Sequence, residues 1–322
     1  MHAAVVNAFG SPPRFQEMDR PQPHHHNEEL VEVLATGLHP RVRSQADGSH
    51  YTSTRELPLV PGIDGVGRLA DGRHVYFLLP DTTMGAMAQQ TVIDLRRSVV
   101  VADDFDPVLL AAAMNPGMSS WVGLRRRIDF RPGSRVLVMG ATGSAGQMAV
   151  QIAKHLGAAH VIGAGRDQGV LELLPSLGAD ATVSLTGDPT EVAERLGRAA
   201  ADVDVVIDYL WGPPAEAGVM ALLTAREDRG RELTWLQIGS VAGATAALPS
   251  VAFRSANFSV LGSGQGSVSR AGFLAELPEL ATQIVRGAFT VNPVVVPLDD
   301  VERNWTTPAA PGTRVVLVPT PA

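Results

Sequence analysis

The sequence predicts an α/β protein in which a doubly wound parallel sheet is inserted into a β-rich domain. Its 322 residues suit about two domains, and a composition of 45% hydrophobic and 18% charged residues fits a soluble globular chain with a large core. The first part of the chain is predicted to form short strands, whereas from about Pro132 strands alternate with helices. That alternation is typical of a parallel sheet covered by helices on both faces.

Roughly the first 115 residues are predicted to be β-rich, because short apolar runs alternate with turn residues. The predicted strands are residues 3–8, 30–35, 65–69, 75–79, 91–93 and 98–101. Pro, Gly, Asp and His fill the gaps between them. A helix is predicted from Pro107 to Met114, where most positions are apolar.

Strands and helices alternate in the middle of the chain. The predicted strands are residues 135–139, 160–163, 181–185, 203–208 and 234–238, and the predicted helices are residues 145–156, 170–177, 189–199 and 214–223. The first helix has an apolar face with helical spacing, which includes Ala149 and Ile152. Asp188 is expected to cap the helix that begins at Pro189.

The pattern becomes irregular past Phe258 and ends in an apolar strand from Arg314 to Val318. We therefore predict three segments. Residues 1–116 form the first part of the β domain, residues 117–258 form the inserted parallel-sheet domain, and residues 259–322 return to the first domain.

The composition excludes several classes of protein. The chain has 33 acidic and 26 basic residues and a net charge of −7, which argues against a general nucleic-acid-binding surface, although a local basic site stays possible. The absence of cysteine excludes disulfides, a cysteine nucleophile, iron–sulfur clusters and cysteine-ligated zinc. A Walker A loop has a glycine before its lysine, but the one lysine, Lys154, follows Ala153.

The chain also shows no apolar run of about 18 residues and no basic-then-apolar leader. We therefore expect a cytoplasmic, soluble protein with no membrane partner. A hydrolase is disfavoured, because there is no G-x-S-x-G motif.

The most informative segment is a glycine loop, Val136-Leu-Val-Met-Gly-Ala-Thr-Gly-Ser-Ala-Gly146. It fits the A-x-G-x-x-G form of the dinucleotide fingerprint, with a tight turn at Ala141, close approach of a pyrophosphate at Gly143 and helix packing at Gly146. The candidate cofactor-binding residues are Ala141, Thr142, Gly143, Ser144, Ala145 and Gly146. A glycine turn that serves packing alone is the alternative, but the order strand, loop, helix favours a cofactor.

The identity of the dinucleotide is predicted from the end of the second strand, where an acid would bind the ribose of NAD. Gly165 and Arg166 stand there. A small residue followed by arginine leaves room for a 2′-phosphate and supplies a cation for it, so NADPH is preferred. Two alternatives stay open: Asp167 as the ribose acid, or a solvated turn with no ligand.

Further motifs extend the pattern over nearly the whole chain. They are Met1-His-Ala-Ala-Val-Val, Leu34-Ala-Thr-Gly-Leu-His-Pro40, Leu57-Pro-Leu-Val-Pro-Gly-Ile-Asp-Gly-Val-Gly67, the glycine loop, Leu177-Gly-Ala-Asp180, Asp204-Val-Val-Ile-Asp208, Ile238-Gly-Ser240 and Val296-Pro-Leu-Asp-Asp-Val301. In this order and spacing the chain resembles the zinc-independent medium-chain dehydrogenase/reductases, close to the NADPH:quinone oxidoreductases.

The resemblance implies a GroES-like catalytic domain, made by both ends of the chain, around a Rossmann domain, with the active site in the cleft between them and a homodimer as the assembly. Zinc-dependent relatives hold zinc with cysteine, histidine and an acid. This chain has Ile63 where a zinc histidine would stand, so no metal is expected and Asp64 is interpreted as a structural or cleft acid. The run His24-His25-His26 is interpreted as a solvated loop.

Two residues are candidates for the catalytic site. Relatives have asparagine before Pro40, whereas this chain has His39, which either tunes specificity or fills the cleft wall. Tyr51 matches the family tyrosine, one residue further along. Without a metal, the acceptor carbonyl would be polarised by hydrogen bonds, and Tyr51, His39 and His50 could supply them. The alternative for Tyr51 is an aromatic wall residue.

The other cofactor-binding candidates come from the family and from strand ends. By family position, Asn115, Ser119 and Ser120 should lie near the nicotinamide and its phosphate, with core packing as the alternative. Tyr209, Gly239 and Ser240 follow predicted strands, whose carboxyl ends form the ligand crevice of such sheets. Ser263, in a glycine-rich return, is expected at the nicotinamide or in a hinge. Arg314 is interpreted either as a cofactor contact or as a surface residue.

Three functions are compatible with these residues. The first is NADPH-dependent hydride transfer to a quinone or a similar conjugated carbonyl. The second is reduction of the double bond of an enone or enoyl thioester, which also needs a placed acid. The third is a non-catalytic NADPH-binding sensor or structural protein.

Overall fold

The computed structural model describes residues 1–50, 53–79 and 82–320. The chain forms two compact units. Met1–Asn115 and Leu277–Ala322 make up the first unit, and Pro116–Glu276 make up the second. The first unit is thus discontinuous in sequence, whereas the second is one continuous segment. Tyr51 lies outside the described residues.

The described residues up to Val122 form seven strands and two α-helices. The strands are β1 (His2–Val5), β2 (Arg14–Glu17), β3 (Glu28–Leu38), β4 (Asp64–Leu69), β5 (His74–Leu78), β6 (Gln90–Asp94) and β7 (Ser98–Val101), and the helices are α1 (Pro40–Ala46) and α2 (Pro107–Val122). Helix α2 is longer than predicted, since it continues through Pro116. One turn of π-helix, residues 123–127, follows it.

Strands and helices then alternate as the sequence predicts. The strands are β8 (Arg135–Met139), β9 (His160–Gly165), β10 (Ala181–Ser184), β11 (Val205–Asp208), β12 (Leu233–Gln237) and β13 (Phe258–Gly262). The helices are α3 (Ser144–His155), α4 (Gln168–Leu173), α5 (Pro189–Ala200), α6 (Gly212–Ala225) and α7 (Ser250–Arg254). The predicted cap of α5 is confirmed, because the Asp188 carboxylate accepts from the N–H groups of Thr190 and Glu191.

The chain ends with helix α8 (Arg270–Val285), strand β14 (Pro293–Pro297), helix α9 (Val301–Trp305) and strand β15 (Arg314–Val318). Strand β15 pairs antiparallel with β3, so Val315 lies opposite Leu38. It joins a seven-stranded sheet in the order β14-β15-β3-β4-β5-β7, in which β6 also pairs with β3. The two ends of the chain therefore build one sheet.

The sheet of the second unit has six parallel strands in the order β10-β9-β8-β11-β12-β13. This order confirms the predicted doubly wound parallel sheet. Its core is made of apolar strand residues that are fully buried, such as Leu137 and Met139. The strand order reverses between β8 and β11, and ligands of such sheets bind at the carboxyl ends of the strands beside that point.

One boundary differs from the sequence prediction. The inserted domain was placed at residues 117–258, but β13 pairs with β12 as a sixth strand, and the second unit runs on to Glu276. The segment after Phe258 is short and soon rich in glycine, so its apolar pattern is too weak to reveal a strand. No helix among residues 1–50, 53–79 and 82–320 is long and apolar enough to cross a membrane.

Candidate active site

The loop between β8 and α3 is held by backbone hydrogen bonds. Gly140 has a φ of +85°, in the left-handed region that favours glycine. The N–H groups of Gly140 and Ala141 donate to the same carbonyl oxygen, that of Ala164, at 2.9 and 2.8 Å. The Gly143 N–H donates to the Gly140 carbonyl at 3.1 Å, so residues 140–143 form a tight turn in which Ala141, which is fully buried, is a central residue, as the sequence predicts.

Two glycines in this loop have different surroundings. A Cβ on Gly146 would come within 2.2 Å of the Gly140 carbonyl oxygen, so only glycine lets α3 start this close to the loop. A Cβ on Gly143 would meet only that same oxygen, at 3.6 Å, so this position borders open space. The first N–H groups of a helix have no intrahelical acceptor, and Gly143 is the N-cap of α3. The open position therefore lies at a helix end suited to phosphate.

The end of β9 carries the residues that were predicted to choose between NADPH and NADH. Gly165 is buried against Thr142, whose Cγ2 would lie 2.4 Å from an added Cβ. Asp167 caps α4, because its Oδ1 accepts from the Val170 N–H at 2.9 Å. Arg166 is exposed and has no side-chain hydrogen bond or ion pair within the described parts of the chain. One carboxylate oxygen of Asp167 is thus used to cap α4, whereas the Arg166 guanidinium is free to bind a ligand.

The end of β11 is organised by a buried carboxylate. Asp208 Oδ1 accepts from the N–H groups of Leu210 and Trp211 at 2.7 and 3.1 Å, and Oδ2 accepts from Trp235 Nε1 at 2.9 Å. Burial raises the pKa of Asp208, while these donors oppose the shift. The three bonds fix the chain as it leaves the strand, and so they place the next residue, Tyr209.

Tyr209 and Ser119 lie together at this edge. The Tyr209 hydroxyl is 2.9 Å from Ser119 Oγ, and burial raises the pKa of Tyr209 to about 12. The phenol is therefore neutral at physiological pH. A Cβ on Gly239 would lie 2.7 Å from the Tyr209 carbonyl oxygen, so the loop after β12 packs directly on this residue.

Ser240 and Ser263 follow the last two strands of the sheet. Ser240 is exposed, and the Ser263 N–H donates to the Gln237 carbonyl at 2.8 Å. Because all six strands are parallel, both lie at the same carboxyl edge as the glycine loop. The candidates that follow strands are thus brought to one edge of the second unit.

Trp211 is a feature of this edge that the sequence reasoning missed. It has a φ of 54°, the one non-glycine residue with positive φ in the part of the chain that the structure describes. Such backbone costs roughly 1–3 kcal/mol and is concentrated at functional sites. The next residue is tightly packed, because a Cβ on Gly212 would lie 2.9 Å from Gly243 Cα. The signal available in the sequence was Trp-Gly-Pro-Pro shortly after the end of β11.

The first unit contains what we call the buried polar cluster, defined as Thr36, His39, Asp64, Tyr76, Asn115 and Arg314, of which only Asn115 is partly exposed. Within it the Asp64 carboxylate accepts from the Tyr76 hydroxyl through Oδ2 at 2.8 Å, and His39 Nε2 lies 3.4 Å from Oδ1. The Thr36 hydroxyl donates to the Asp64 backbone carbonyl at 2.8 Å. Asp64 is the centre of these contacts, which fits its interpretation as a structural or cleft acid.

The cluster sets the protonation of its members. Burial, followed by the charge of Arg314, lowers the pKa of His39 to about 4, so its ring is neutral at physiological pH. A carboxylate only accepts hydrogen bonds, so we assign the single ring proton to Nε2, facing Asp64. Burial also raises the pKa of Tyr76 well above its usual value.

Arg314 is buried, with 8% of its surface exposed, so the alternative of a surface role is wrong. Its Nη2 donates to Asn115 Oδ1 at 3.2 Å. Burial lowers the pKa of Arg314 to about 10, which leaves it charged at physiological pH.

Comparison with known proteins identifies the family. A probable NADPH-dependent quinone reductase of Emericella nidulans is 31% identical, over 99% of this chain and 100% of that protein. The chain is a medium-chain dehydrogenase/reductase of the quinone oxidoreductase type. The family described as zinc-binding dehydrogenase matches residues 145–271 of this reductase, which all lie in its second unit.

Solved structures and other relatives of the reductase agree. A quinone oxidoreductase of Thermus thermophilus, solved with and without NADPH, is 25% identical over 99% of this chain and all of that one, with a TM-score of 0.80. The 2-methylene-furan-3-one reductase of Solanum lycopersicum is 25% identical over 66% of this chain and 62% of that protein. The GroES-like plus Rossmann architecture is therefore confirmed.

The remaining candidates are Tyr51, its neighbour His50, the histidine run at residues 24–26 and a metal site. Tyr51 lies outside the described residues, so its role stays a prediction. His50, beside it, is half-buried, and burial lowers its pKa. The backbone N–H groups of His24 and His25 donate to Glu28, as in a turn. Within residues 1–50, 53–79 and 82–320, no three His, Asp or Glu side chains are grouped so that they could hold a metal.

Proposed function

We propose that this reductase uses NADPH, without a catalytic zinc, to reduce a quinone or a similar conjugated carbonyl. The preference for NADPH rests on the different surroundings of Arg166 and Asp167, the two residues that follow β9. Asp167 is used as a helix cap, whereas Arg166 is exposed and available for a 2′-phosphate. The acceptor class is supported by the quinone reductase of Emericella nidulans and the quinone oxidoreductase of Thermus thermophilus.

The residues present fit a dinucleotide. The open space at Gly143 would take the pyrophosphate, and the helix end at residues 144–146 would supply N–H donors. Thr142 and Gly165 would form the floor beside the adenosine ribose. Ser119, Tyr209, Gly239, Ser240 and Ser263 would line the rest, with Asn115 near the nicotinamide. NADPH, when bound, supplies the hydride.

The side chains of the first unit would prepare the acceptor. His39 is buried, and with its one ring proton directed at Asp64 its other ring nitrogen can only accept a hydrogen bond. We therefore propose His39 as a specificity residue of the acceptor subsite. We propose that Tyr51, the other candidate of the catalytic site, donates to the acceptor carbonyl.

Zinc independence is supported by the donor set. The chain has no cysteine, and Ile63, which stands where zinc-dependent relatives have a histidine, is buried. Asp64 is already engaged by Tyr76 and His39. Activity that persists after exhaustive chelation, with less than stoichiometric zinc in the purified protein, would support this part of the proposal.

Steady-state oxidation of NADPH with a panel of quinones and enones tests the function. We expect turnover with quinones and a clear preference for NADPH over NADH. Absence of turnover on every acceptor, despite NADPH binding, would contradict the proposal and favour the non-catalytic sensor.

Reduction of an activated double bond is the second candidate. It is supported by two relatives whose names state that chemistry: the tomato 2-methylene-furan-3-one reductase and the NADPH-dependent alkenal/one oxidoreductase of Arabidopsis thaliana. That reaction adds a proton at the neighbouring carbon, so its product carries solvent deuterium there in D₂O. Turnover of enones with this labelling and none of quinones would make it the main function.

We also propose that the protein is a homodimer. Strand β13 is the last strand of its sheet. In the neighbouring α7, Val251 and Phe253 are exposed. The ring centroids of Phe253 and Phe258, a residue of β13, are 5.3 Å apart. An open edge beside an apolar patch suits pairing with a second copy. Light scattering on a size-exclusion column tests this.

The cytoplasmic location stays a prediction, which fractionation of tagged cells would check.

A further inference from the structure

Arg314 brings a permanent positive charge into the core of the first unit. It stands at the start of β15, opposite the end of β3, and 8% of its surface is exposed. Its Nη2 donates to the side-chain oxygen of Asn115, which lies 199 residues away in the sequence. Its Nε has no hydrogen-bond partner among the described residues. An arginine held this way is costly, so the one hydrogen bond that its side chain makes to the described residues calls for an explanation.

The bond fixes which way the Asn115 amide faces. An asparagine side chain has an accepting oxygen and a donating nitrogen, and without a partner the two exchange places by a simple rotation. A guanidinium only donates, so it selects the orientation with Oδ1 towards Arg314. Asn115 Nδ2 then faces away and has no hydrogen-bond partner within the described residues. Asn115 itself is partly exposed, which leaves this nitrogen accessible.

The charge on Arg314 makes this selection independent of pH in the working range. Burial lowers the pKa of Arg314 to about 10, and Asp64 and Tyr76 oppose that shift. The guanidinium therefore stays protonated at neutral pH. The surrounding backbone is close as well: a Cβ on Gly37 would lie 3.6 Å from both Arg314 Nε and His39 Cδ2. The cation is thus confined beside β3 with its Nη2 directed at Asn115.

We propose that Arg314 is a positioning residue for the cofactor, which fixes Asn115 so that its amide presents N–H donors. This inference rests on the proposed function, in which Asn115 lies near the nicotinamide. The nicotinamide carboxamide has an oxygen that accepts hydrogen bonds, and Asn115 Nδ2 is its donor. In this proposal, Arg314 makes no direct contact with the cofactor. It acts through Asn115, by excluding the orientation in which two carbonyl oxygens would face each other.

A double-mutant cycle tests the inference. We measure the Kd of NADPH by fluorescence for the wild type, Arg314→Met, Asn115→Ala and the double variant. Loss of one neutral hydrogen bond weakens binding about three- to tenfold, so Asn115→Ala should show that loss and Arg314→Met about threefold. Because Arg314 acts through Asn115, the double variant should bind like Asn115→Ala. Additive losses, or an unchanged Kd in Arg314→Met, would overturn the proposal.

A second variant separates positioning from stability. Asn115→Asp keeps an oxygen for Arg314 and adds a charge that pairs with it, but it removes the N–H donors. We expect an unchanged or higher Tm together with a Kd for NADPH raised at least as much as in Asn115→Ala. If Asn115→Asp binds NADPH like the wild type, Arg314 and Asn115 serve only the fold, and the inference is wrong.

Arg43→Met is the matched control. Arg43 lies in the same unit and also reaches distant chain, where its guanidinium donates to the backbone carbonyls of Trp305 and Thr307. Its loss should lower the Tm and leave the Kd of NADPH unchanged. A wild type that does not bind NADPH would instead defeat the proposed function, so the two failures are distinguishable.

Discussion

The glycine loop and the buried polar cluster reach their geometry in opposite ways. The loop uses backbone groups and missing side chains: Gly140 turns, Gly143 leaves space and Gly146 permits contact. The cluster uses side chains that burial and hydrogen bonds hold, from Thr36 to Arg314. Substitutions that add atoms should therefore disrupt the loop, whereas substitutions that remove a charge should destabilise the cluster.

The largest effect is expected in the cluster, where a charge can be removed. Asp64→Ala leaves Arg314 buried without the acid whose charge raises its pKa, and it deprives Tyr76 and His39 of their acceptor. Breaking a buried charge arrangement from one side costs roughly 3–5 kcal/mol. We expect a loss of that size in the free energy of unfolding, measured with urea.

Thr36→Val is the control for Asp64→Ala. It removes a hydrogen bond to the same residue, at the Asp64 backbone carbonyl, without touching a charge. About 1 kcal/mol is expected. Equal losses in the two variants would mean that charge is not what makes the cluster fragile.

The second test uses pH. The pKa of His39 is about 4 in the folded protein and close to 6.5 when unfolded, so the unfolded chain binds the proton first as pH falls. The stability that this neutral histidine gives is present above pH 6.5 and is lost towards pH 4. Between about pH 7 and pH 5, the wild type should lose roughly 2 kcal/mol more than His39→Asn.

The comparison with His39→Asn isolates this residue, because every other titrating group is shared. The groups that act on the His39 pKa are Arg314, Asp64 and Arg41. Parallel stability curves for the two proteins across this pH range would show that His39 is not held neutral by the fold.

The third test adds one atom to each of two glycines. Gly146→Ala places a methyl group within 2.2 Å of the Gly140 oxygen, whereas Gly143→Ala meets its nearest atom at 3.6 Å. Overpacking of this kind costs roughly 1–3 kcal/mol, so the first variant should lower the Tm. The second should keep its Tm and lose affinity for NADPH, because the methyl group fills the ligand's space.

The smallest expected effect concerns an exposed side chain. Arg166→Gln should raise the KM for NADPH about tenfold and leave the KM for NADH unchanged, because one charged contact to the 2′-phosphate is lost. The Tm should not change, since Arg166 has no partner among the described residues. Arg198→Gln, an exposed arginine of α5, is the control. A rise in KM for both cofactors would mean that Arg166 does not distinguish them.

The glycine loop is the part of the site that the sequence predicts best. The loop lies within one short stretch of sequence, so its strand, glycines and helix could be predicted together, and Ala141 lies in the tight turn as predicted. The sixth strand β13 and the Pro-containing helix α8 were missed, because short or interrupted patterns carry little periodicity.

The cluster could not be predicted in the same way. Asp64 was singled out as a structural or cleft acid, but its partners Tyr76 and His39 lie in other elements. Arg314 could not be assigned, because a terminal arginine in an apolar strand has the same local sequence whether it is buried or exposed. Only the pairing of β15 with β3 decides the matter.

That pairing also determines the order in which the protein can be completed during synthesis. The second unit is continuous, so it can fold as soon as residues 116–276 have left the ribosome. The first unit needs β15, whose Val315 pairs with Leu38 but follows the whole second unit in the sequence. Until then β3 has an open edge beside His39, and the last strand to be made closes that edge and brings in Arg314. A nascent chain truncated before residue 314 should therefore contain a folded second unit and an incomplete first unit.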